Sequence, residues 1–280
     1  MSALPITDFH CHSAFSDGVL TPLELLDLAQ QRGVRQLAIT DHDSVQAYSP
    51  TLTRQAQQLD IALVTGCEFS CVWQRRNIHV LGLNMDLSHP SLIQAMASQA
   101  TARQSRAEKI TQVLQRLGFA LTLPEIQKIA GVGSIGRPHF AEHLVVTGQM
   151  PSTAAAFKRV LGSGKPGDVK ADWSALETVL GWITNAGGVA VVAHPLKYKM
   201  TLTKLRSLLD DFRQAGGQGI EVLTGYQDPA RVNTLADLAL RYELYGSAGS
   251  DFHRPGQPWA ELGRVACLPE RCTPVWQLWT

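Results

Sequence analysis

The sequence predicts an α/β protein in which a parallel sheet or TIM-like barrel is interrupted by a helical insertion. Two observations support this fold class. Strand-like apolar runs alternate with helical patterns in the first part of the chain and again in its C-terminal part. Between about residues 91 and 164 the patterns are helical, with no strand pattern between them. We therefore assign residues 1–90 and 165–280 to the barrel domain and residues 91–164 to the insertion.

The N-terminal part begins with a short strand, ALPITDF, which stops at His10. Thr21, Pro22 and Glu24 then give a helix start: a threonine cap, a proline in the first turn and a glutamate three residues after the cap. RQLAIT is the next predicted strand, and VQAYSPTLTRQAQQL is predicted as a second helix that Pro50 interrupts. IALVTGCEF and NIHVLGLNM are the third and fourth predicted strands.

The insertion begins with one long helical stretch, SLIQAMASQATARQSRAEKITQVLQRLG, and continues with TLPEIQKIAG, HFAEHLVVTG and STAAAFKRVLG as shorter helices. After it, the strands VAVVAHP, GIEVLT and LYGSAGSDFH alternate with the helices ALETVLGWITNAGG, LTKLRSLLDDFRQAGG and ARVNTLADLALRYE. About six or seven strands alternating with helices indicate a TIM-like barrel.

Composition excludes several classes of protein. The 280 residues are 45% hydrophobic and 18% charged with a net charge of +1, which suits a globular core and argues against a broad nucleic-acid coat. The five cysteines form no regular framework, so we expect free thiols in a reducing compartment. No signal peptide and no membrane-spanning run is predicted. We expect a soluble cytoplasmic protein with no membrane contact and no obligatory protein partner.

Histidines and carboxylates recur where the predicted strands stop. Imidazole and carboxylate are ligands of zinc, manganese and iron, and strand ends are where an α/β barrel gathers its chemistry. The set is too large for one tetrahedral ion, so it predicts a multinuclear metal cluster. Alternation along a strand puts residues two apart on one face, and this spacing occurs twice, in HCH near the start of the sequence and in DFH near its end. The nine candidates are His10, His12, Asp17, His42, Glu68, His79, His194, Asp251 and His253.

Each candidate also has an ordinary structural interpretation. A single His79 or His194 is more often a hydrogen-bonded core residue, and Asp17 in SDG is more often a turn residue. Nine such residues at matching strand ends together favour metal binding. A competing motif, HFAEH, matches an inverted zinc-protease signature but has no clear companion ligand. We therefore expect His139 to face the substrate and His143 to pack within a helix.

Several motifs together resemble a known family. DFHCHSAFSDG, TPLELLDLAQQRGVRQLAITDHD, GCEFS, NIHVLG, AHP and SDFH are similar to the successive motifs of the PHP (polymerase and histidinol phosphatase) metallophosphoesterases. The resemblance implies a distorted (β/α)7 barrel with up to three metal ions. RPHFAEHLV, KRVLGSGKPG and PWAELGR resemble the subgroup of 3′,5′-nucleoside bisphosphate phosphatases and 5′–3′ exoribonucleases. This resemblance to the subgroup also implies that the insertion covers the active site.

The resemblance further implies how the ligands are shared among three ions. One ion would be held by His10, His12, Glu68 and Asp251. A second would be held by Asp17, His42 and His253. The third would be held by His79 and His194 with Glu68 as a bridge. We expect manganese in these sites, with zinc or iron as alternatives, because mixed nitrogen and oxygen ligands suit all three metals.

Such a cluster is suited to phosphoester hydrolysis. Metal ions lower the pKa of bound water to about 7 and neutralise phosphoryl oxygens, so we expect a metal-bound hydroxide to attack phosphorus. Asp43 is a candidate leaving-group acid. Substrate would be held by Arg103 and Arg106, which share a helix face, by Arg137 and by Lys165. The GSGKPG loop around Lys165 lacks the Ser or Thr of a nucleotide-triphosphate loop.

The function expected from the sequence is metal-dependent hydrolysis of the 3′-phosphoester of 3′,5′-nucleoside bisphosphates. Stepwise 5′–3′ removal of nucleotides from short 5′-phosphorylated RNA is the related activity. Two alternatives remain open. One is a phosphatase of a small non-nucleotide monoester such as histidinol phosphate, and the other is a metal-binding module without turnover.

Overall fold

A computed structural model describes residues 6–279, and this part of the chain contains eight β-strands in two sheets. The smaller sheet has the order β1-β2-β3 and is parallel. The larger sheet has the order β4-β5-β6-β7-β8. The strands are β1 (Ile6–Cys11), β2 (Val34–Ile39), β3 (Ala62–Val64), β4 (Gly66–Trp73), β5 (Arg76–Leu83), β6 (Val189–Val192), β7 (Gly219–Thr224) and β8 (Tyr245–Gly249).

The larger sheet is mixed. Strands β4 and β5 form an antiparallel hairpin, and β5 also pairs antiparallel with β6, whereas β6, β7 and β8 are parallel. Gln74 and Arg75 at the hairpin tip have φ of 44° and 63°, the left-handed backbone that a two-residue hairpin turn requires. A connection this short cannot make a parallel crossover, which needs about a dozen residues. The uniformly parallel sheet expected from the sequence is therefore wrong at β5.

The predicted run IALVTGCEF is two strands rather than one. Thr65 separates β3 from β4, and the two strands lie in different sheets. Hydrogen bonds hold this break to the end of β5: the Thr65 hydroxyl donates to the Met85 carbonyl at 2.7 Å, and the Asn84 N–H donates to the Thr65 carbonyl at 2.7 Å. This split raises the number of strands in the described chain above the six or seven that we expected.

The two sheets meet along both edges, so together they form a barrel-like wall. At one seam the His12 N–H donates to the Phe252 carbonyl at 2.8 Å, beside a bridge between Cys11 and Phe252. At the other seam the Asp43 N–H donates to the Glu68 carbonyl at 2.9 Å, beside a bridge between His42 and Glu68. Both seams join strand ends, and the predicted α/β fold of distorted barrel type is confirmed.

Helices begin where the sequence supplies caps. Thr21 and Glu24 form the predicted capping box of α1. The second helix starts at Pro50, with the Ser49 hydroxyl accepting the Leu52 N–H at 3.1 Å, so the predicted interruption at Pro50 is the start of the helix and the residues before it are not helical. Proline suits the first turn because it has no N–H to pair. The helices are α1 (Pro22–Gln31), α2 (Pro50–Gln58), α3 (Pro90–Arg116), α4 (Leu123–Ala130), α5 (Arg137–Val146), α6 (Thr153–Ala156), α7 (Leu176–Asn185), α8 (Leu202–Gln214) and α9 (Pro229–Arg241).

Within the described residues, the segment from α3 to the π-helical turn Phe157–Leu161 contains helices joined by loops and no strand. It has a hydrophobic core of its own, built around Leu114, Ile126, Phe140 and Leu144, all fully buried. Burying each such side chain contributes about 1.5–3 kcal/mol. The segment therefore packs internally as well as against the barrel, and residues 91–164 as a separate domain stay a prediction.

The barrel interior is filled by side chains from both sheets. Phe9 is fully buried there and makes edge contacts with Trp276 and Trp279, with ring centroids 5.8 and 5.7 Å away. Both tryptophans belong to the C-terminal 3₁₀ turn and the residue after it, so the end of the chain packs against the first strand. In residues 6–279 no helix is long and apolar enough to cross a membrane.

Candidate metal centre and active site

The structure brings all nine predicted ligand residues to one place. Glu68 is at the centre and is fully buried on β4, and the imidazoles around it come from the ends of several strands. His10 and His79 lie on β1 and β5, whereas the other candidates follow strand ends in the loops. The remaining members of this cluster are His12, Asp17, His42, His194, Asp251 and His253.

Glu68 contacts five imidazoles through its two carboxylate oxygens. Its Oε1 lies 2.7 Å from Nδ1 of His79 and 2.8 Å from Nε2 of His194. Its Oε2 lies 3.0 Å from Nδ1 of His42, and 3.4 and 3.3 Å from Nε2 of His10 and His12. The Glu68 carboxylate thus joins the pair of imidazoles at Oε1 to the three at Oε2, as a bridging ligand would.

Asp251 and Asp17 complete the cluster on its other side. Oδ1 of Asp251 lies 3.3 Å from Nε2 of His10 and 3.4 Å from Nε2 of His12. Oδ1 of Asp17 lies 3.3 Å from Nε2 of His253. Asp251 and Glu68 therefore face the same two imidazole nitrogens, those of His10 and His12.

The donor atoms fall into four groups small enough to surround an ion. The His10–His12–Asp251 group agrees with the first set that the family resemblance implies, except that Glu68 is absent from it. The expected third set is divided, because His79 groups with His42 whereas His194 groups with His10. The four groups are His12–Asp17–His42–His253, His10–Glu68–His194, His10–His12–Asp251 and His42–Glu68–His79.

The chemistry of the donor set fits metal ions. Several buried polar atoms of the cluster have no hydrogen-bond partner within the described residues, although buried polar atoms are normally paired. They belong to residues of the four groups, so cations held by these groups would give such atoms a partner. These atoms are Nε2 of His10 and His12, Oδ1 of Asp17, Nδ1 of His42 and His194, and Oε2 of Glu68.

Charge is strongly coupled in the cluster. Burial acts to raise the pKa of Glu68, but the imidazoles of His79 and His42 outweigh it and hold the pKa well below its usual range. Burial acts to lower the pKa of His12, but the neighbouring carboxylates of Asp251 and Glu68 raise it to about 10. Burial lowers the pKa of His42 to about 4. A metal ion must displace the proton of His12, so metal binding is expected to release protons.

Glu221 supports the cluster from behind, and the sequence analysis missed it. Its Oε1 lies 2.9 Å from Nδ1 of His10, and its Oε2 accepts the His194 N–H at 2.6 Å. A carboxylate on the far nitrogen orients a ligating histidine and makes it more basic. The one signal in the sequence is a glutamate inside the apolar strand GIEVLT.

Lys197 was also missed. It lies in the 3₁₀ turn that follows VAVVAHP, and its Nζ makes a short ion pair with Oδ2 of Asp251. The ion pair places a cation at the edge of the cluster, close to where a phosphoryl group would bind. The AHP motif predicted the neighbouring His194 but gave no sign of this lysine.

Three residues at these strand ends have left-handed backbone conformations. Asp43, His194 and Asp251 have φ of 52°, 29° and 55°. Non-glycine residues in this region cost of the order of 1–3 kcal/mol each and cluster at functional sites. The surrounding hydrogen bonds must hold these positions in place, as Glu221 does for the N–H of His194.

A cavity of about 180 Å³ joins the cluster to the helical segment. Three of the predicted ligands and three arginines line it, together with Trp173. The Arg103 and Arg106 guanidinium carbons lie 5.4 and 5.9 Å from the centre of the Trp173 ring. The ligands in the lining are Asp17, His42 and His79, and the arginines are Arg103, Arg106 and Arg137. The predicted arginines thus lie beside the predicted metal ligands.

Asp43 has contacts that do not suit a leaving-group acid. It accepts hydrogen bonds from the Ser70 N–H at 2.7 Å and from Nε2 of Gln99 at 2.6 Å. The Arg103 Nε donates to its other oxygen at 2.7 Å. Both oxygens of this carboxylate are thus engaged by donors, one of them a guanidinium, and the role of Asp43 as an acid stays a prediction. These contacts instead anchor α3 to the loop beside His42.

Two other predicted substrate residues lie elsewhere. Nδ1 of His139 accepts the Gly136 N–H at 3.0 Å, so this histidine caps the start of α5 rather than lining the cavity. Lys165 is exposed and is absent from the lining of the described cavities that border the cluster. Nε2 of His143 lies 3.3 Å from the Ala120 carbonyl, which agrees with helix packing.

An α/β barrel that gathers histidines, aspartates and a bridging glutamate beside arginines defines the class of metal-dependent phosphoesterases. The PHP domain family model matches residues 8–161, which is more than half of the chain. The protein belongs to the PHP domain family, as its motifs predicted. Its donor cluster indicates divalent metal binding.

Relatives match nearly the whole chain. It is 40% identical over 270 residues to a 5′–3′ exoribonuclease of Haemophilus influenzae, covering 96% of this chain and 97% of the relative. It is 38% identical over 271 residues to a 3′,5′-nucleoside bisphosphate phosphatase of Chromobacterium violaceum, covering 96% and 95%. These relatives confirm that the chain is a hydrolase of the phosphoesterase class.

Solved structures agree with this family. A Chromobacterium violaceum protein described as an amidohydrolase with bound sulfate superposes with a TM-score of 0.89 at 38% identity, covering 97% of this chain and 95% of that one. A Bifidobacterium adolescentis protein assigned as a metal-dependent phosphoesterase superposes with a TM-score of 0.81 at 27% identity, covering 98% and 94%.

Proposed function

We propose that this protein is a manganese-dependent hydrolase of the 3′-phosphoester of 3′,5′-nucleoside bisphosphates, and that it removes nucleotides one at a time from 5′-phosphorylated RNA. It acts in the cytoplasm, in keeping with the free cysteines of the described chain. Both reactions break the same bond, between the 3′ oxygen and phosphorus of the terminal nucleotide. The named activities of the relatives support this pair of substrates.

One observation carries the proposal: the arginine-lined cavity opens directly onto the ligand cluster. A nucleoside bisphosphate has two phosphates separated by a ribose. The cavity offers cations for a 5′-phosphate, and the cluster offers sites for the phosphate to be cut. A substrate with a single phosphate, bound at the cluster, would bring no second anion to this cavity.

The three arginines differ in how many of their N–H donors are already used in contacts within the protein. Arg103 is committed to Asp43, with Nη2 2.7 Å from the carboxylate. In the described chain, the hydrogen bonds of Arg106 use its Nε, to the Val169 carbonyl, and those of Arg137 use its Nη1. Burial, with help from the neighbouring arginines, lowers the pKa of Arg106 to about 10, so it is still charged at neutral pH. Arg106 and Arg137 therefore keep donors for a phosphate, and Arg103 orients the site.

The remaining roles fall to the ligand residues and Lys197. Divalent ions, when bound, supply activation of water and neutralisation of the phosphoryl oxygens. His10, His12, Glu68 and Asp251 would hold ions in the buried half of the cluster. Lys197, paired with Asp251, adds positive charge at the edge of the cluster, in a cavity that Arg137 also lines.

A phosphatase of a small monoester such as histidinol phosphate is the second candidate, and no feature of the arginine cavity favours it. A direct test compares turnover of adenosine 3′,5′-bisphosphate, histidinol phosphate and short RNA carrying either a 5′-phosphate or a 5′-hydroxyl, all with manganese. We expect the bisphosphate and the 5′-phosphorylated RNA to be cut fastest. Equal turnover of 5′-phosphoryl and 5′-hydroxyl RNA would contradict the role of the arginines, and preference for histidinol phosphate would contradict the proposal.

A further inference from the structure

A second cavity opens on the other edge of the ligand cluster. It has a volume of about 260 Å³, and Asp251 and His253 form part of its lining. Two aromatic side chains stand at its rim: Tyr226 is 78% exposed and Trp259 is 62% exposed. Single exposed aromatic residues are common on protein surfaces, but two in the lining of one cavity beside metal ligands call for an explanation.

The backbone holds these two residues together. The Tyr226 N–H donates to the Trp259 carbonyl at 2.8 Å, and the Gly225 N–H donates to the Gly249 carbonyl at 2.8 Å. Gly225 has a φ of 59°, and a Cβ at this position would collide with the Trp259 carbonyl oxygen. The pair is therefore fixed to the end of β8, directly before Asp251.

Charge in this cavity suits an anion. Lys197 and Arg231 belong to its lining, and because Lys197 pairs with Asp251, Arg231 leaves the lining with an excess of positive charge. Aromatic faces next to cations are the arrangement by which proteins bind single-stranded nucleic acid: bases stack on the rings, and the cations meet the backbone. Stacking of this kind tolerates any base, as removal of successive nucleotides requires.

We infer that Tyr226 and Trp259 form a stacking site for the nucleotide that follows the scissile phosphate in single-stranded RNA. The inference rests on the proposed function and specifies its polymeric substrate. The arginine cavity borders the cluster at Asp17 and His42, and the aromatic cavity borders it at Asp251 and His253. The terminal nucleotide occupies the first cavity, its 3′-phosphate lies at the cluster, and the chain continues into the second cavity.

This arrangement separates the two proposed substrates. A nucleoside 3′,5′-bisphosphate ends at the phosphate bound by the cluster, so it does not reach the aromatic pair. RNA does reach it. Removal of the aromatic rings is therefore expected to weaken the binding of RNA and to leave turnover of the bisphosphate almost unchanged.

The test uses Tyr226→Ala, Trp259→Ala and the double variant, with Trp259→Phe as the conservative variant. Leu240→Ala is the matched control, since Leu240 is 63% exposed but lines none of the described cavities that border the cluster. KM and kcat are measured with manganese for adenosine 3′,5′-bisphosphate and for a 5′-phosphorylated RNA. Binding of labelled RNA to the chelator-treated protein is measured in parallel by fluorescence anisotropy.

We expect each alanine variant to raise KM and Kd for RNA by about tenfold, the loss expected for one stacked base. Trp259→Phe retains most of the RNA binding, and the bisphosphate constants stay close to those of the unchanged protein. Equal losses on both substrates, or RNA binding unaffected in the double variant, would overturn the inference. If the unchanged protein cuts neither substrate, the proposed function fails, while the anisotropy measurement still decides whether the aromatic pair binds RNA.

Discussion

Glu221 and His10 form a fully buried pair, with the carboxylate Oε1 2.9 Å from Nδ1 of the imidazole. The other ring nitrogen of His10 faces the cluster, 3.4 Å from Glu68 and 3.3 Å from Asp251. The glutamate thus fixes which nitrogen is free to bind a metal. Because Glu221 also accepts the backbone N–H of His194, one carboxylate orients two predicted ligands from different parts of the wall.

We predict that Glu221→Gln lowers metal affinity without removing a ligand. The amide can still form hydrogen bonds but no longer makes His10 more basic, so we expect the Kd for manganese to rise by about 10- to 100-fold. Calorimetric titration of the chelator-treated protein measures this change. Glu270→Gln, a substitution in an exposed turn, is the control and leaves the Kd unchanged. An unchanged Kd in Glu221→Gln would contradict the orienting role.

Manganese is predicted to raise the thermal stability of the chelator-treated protein. Ions that bind the folded state satisfy the unpaired buried nitrogens of His10 and His12, and a 100-fold excess over Kd stabilises by about 2.7 kcal/mol. Differential scanning fluorimetry with and without manganese measures the shift. His10→Ala is expected to lose most of it, whereas His143→Ala, altered within α5, keeps it. The reverse result would place the metal site outside the barrel end.

Arg106→Met is predicted to remove the preference for a 5′-phosphate. Methionine keeps much of the aliphatic volume but cannot donate to an anion, and hydrogen bonds to charged groups contribute about 1.5–3 kcal/mol. We expect kcat/KM on 5′-phosphorylated RNA to fall by about tenfold or more, with little change on 5′-hydroxyl RNA. Arg116→Met, exposed at the end of the same helix, is the control. A similar loss on both RNAs would argue against phosphate recognition by Arg106.

Asp43→Asn is predicted to act on stability rather than on proton transfer. The side chain is fully buried and its ion pair with Arg103 is mostly buried, so loss of the charge leaves a guanidinium without its partner. We expect the free energy of unfolding to fall by about 3 kcal/mol. The pH profile of kcat keeps its shape, because another group protonates the leaving oxygen. Loss of one limb of that profile in Asp43→Asn would restore Asp43 as the acid.

Acid is predicted to weaken the start of α1. Hydrogen bonds from the Thr21 N–H and hydroxyl hold the pKa of Glu24 below its usual 4.5. A group with a lowered folded-state pKa stabilises above its unfolded pKa and loses this contribution as the pH falls through the folded value. Glu24→Gln should therefore lower the unfolding midpoint at pH 7, and the difference should disappear towards pH 3. A difference that persists at the lower pH would mean that the carboxylate charge is not its cause.

Much of the site could be predicted from the sequence because each ligand position follows a readable strand. VAVVA locates His194, and the motifs HCH and SDFH directly follow or end apolar runs, which locates two further pairs of candidates. Partners distant in sequence could not be predicted. His10 and Glu221 are 211 residues apart, and Asp43 and Arg103 are 60 apart, so no local pattern connects them.

The fold shows the same contrast between local features, which could be predicted, and long-range contacts, which could not. The capping box at Thr21 and the long α3 were predictable because propensity and periodicity act locally. The break at Thr65 was not, because TGC interrupts the apolar pattern only slightly while the chain passes from one sheet to the other. We expected Arg103 to bind substrate. Its ion pair with Asp43 could not be predicted, because it depends on how α3 packs on the barrel.

The two seams between the sheets run through the same loops that carry the ligands. Cys11, the residue after His10, forms a bridge with Phe252, the residue before His253. At the other seam, His42 itself forms a bridge with Glu68. Metal ions bound at this end would therefore hold the edges of the two sheets together in addition to acting in catalysis. Loss of metal from this end would then lower the stability of the closed wall together with the activity.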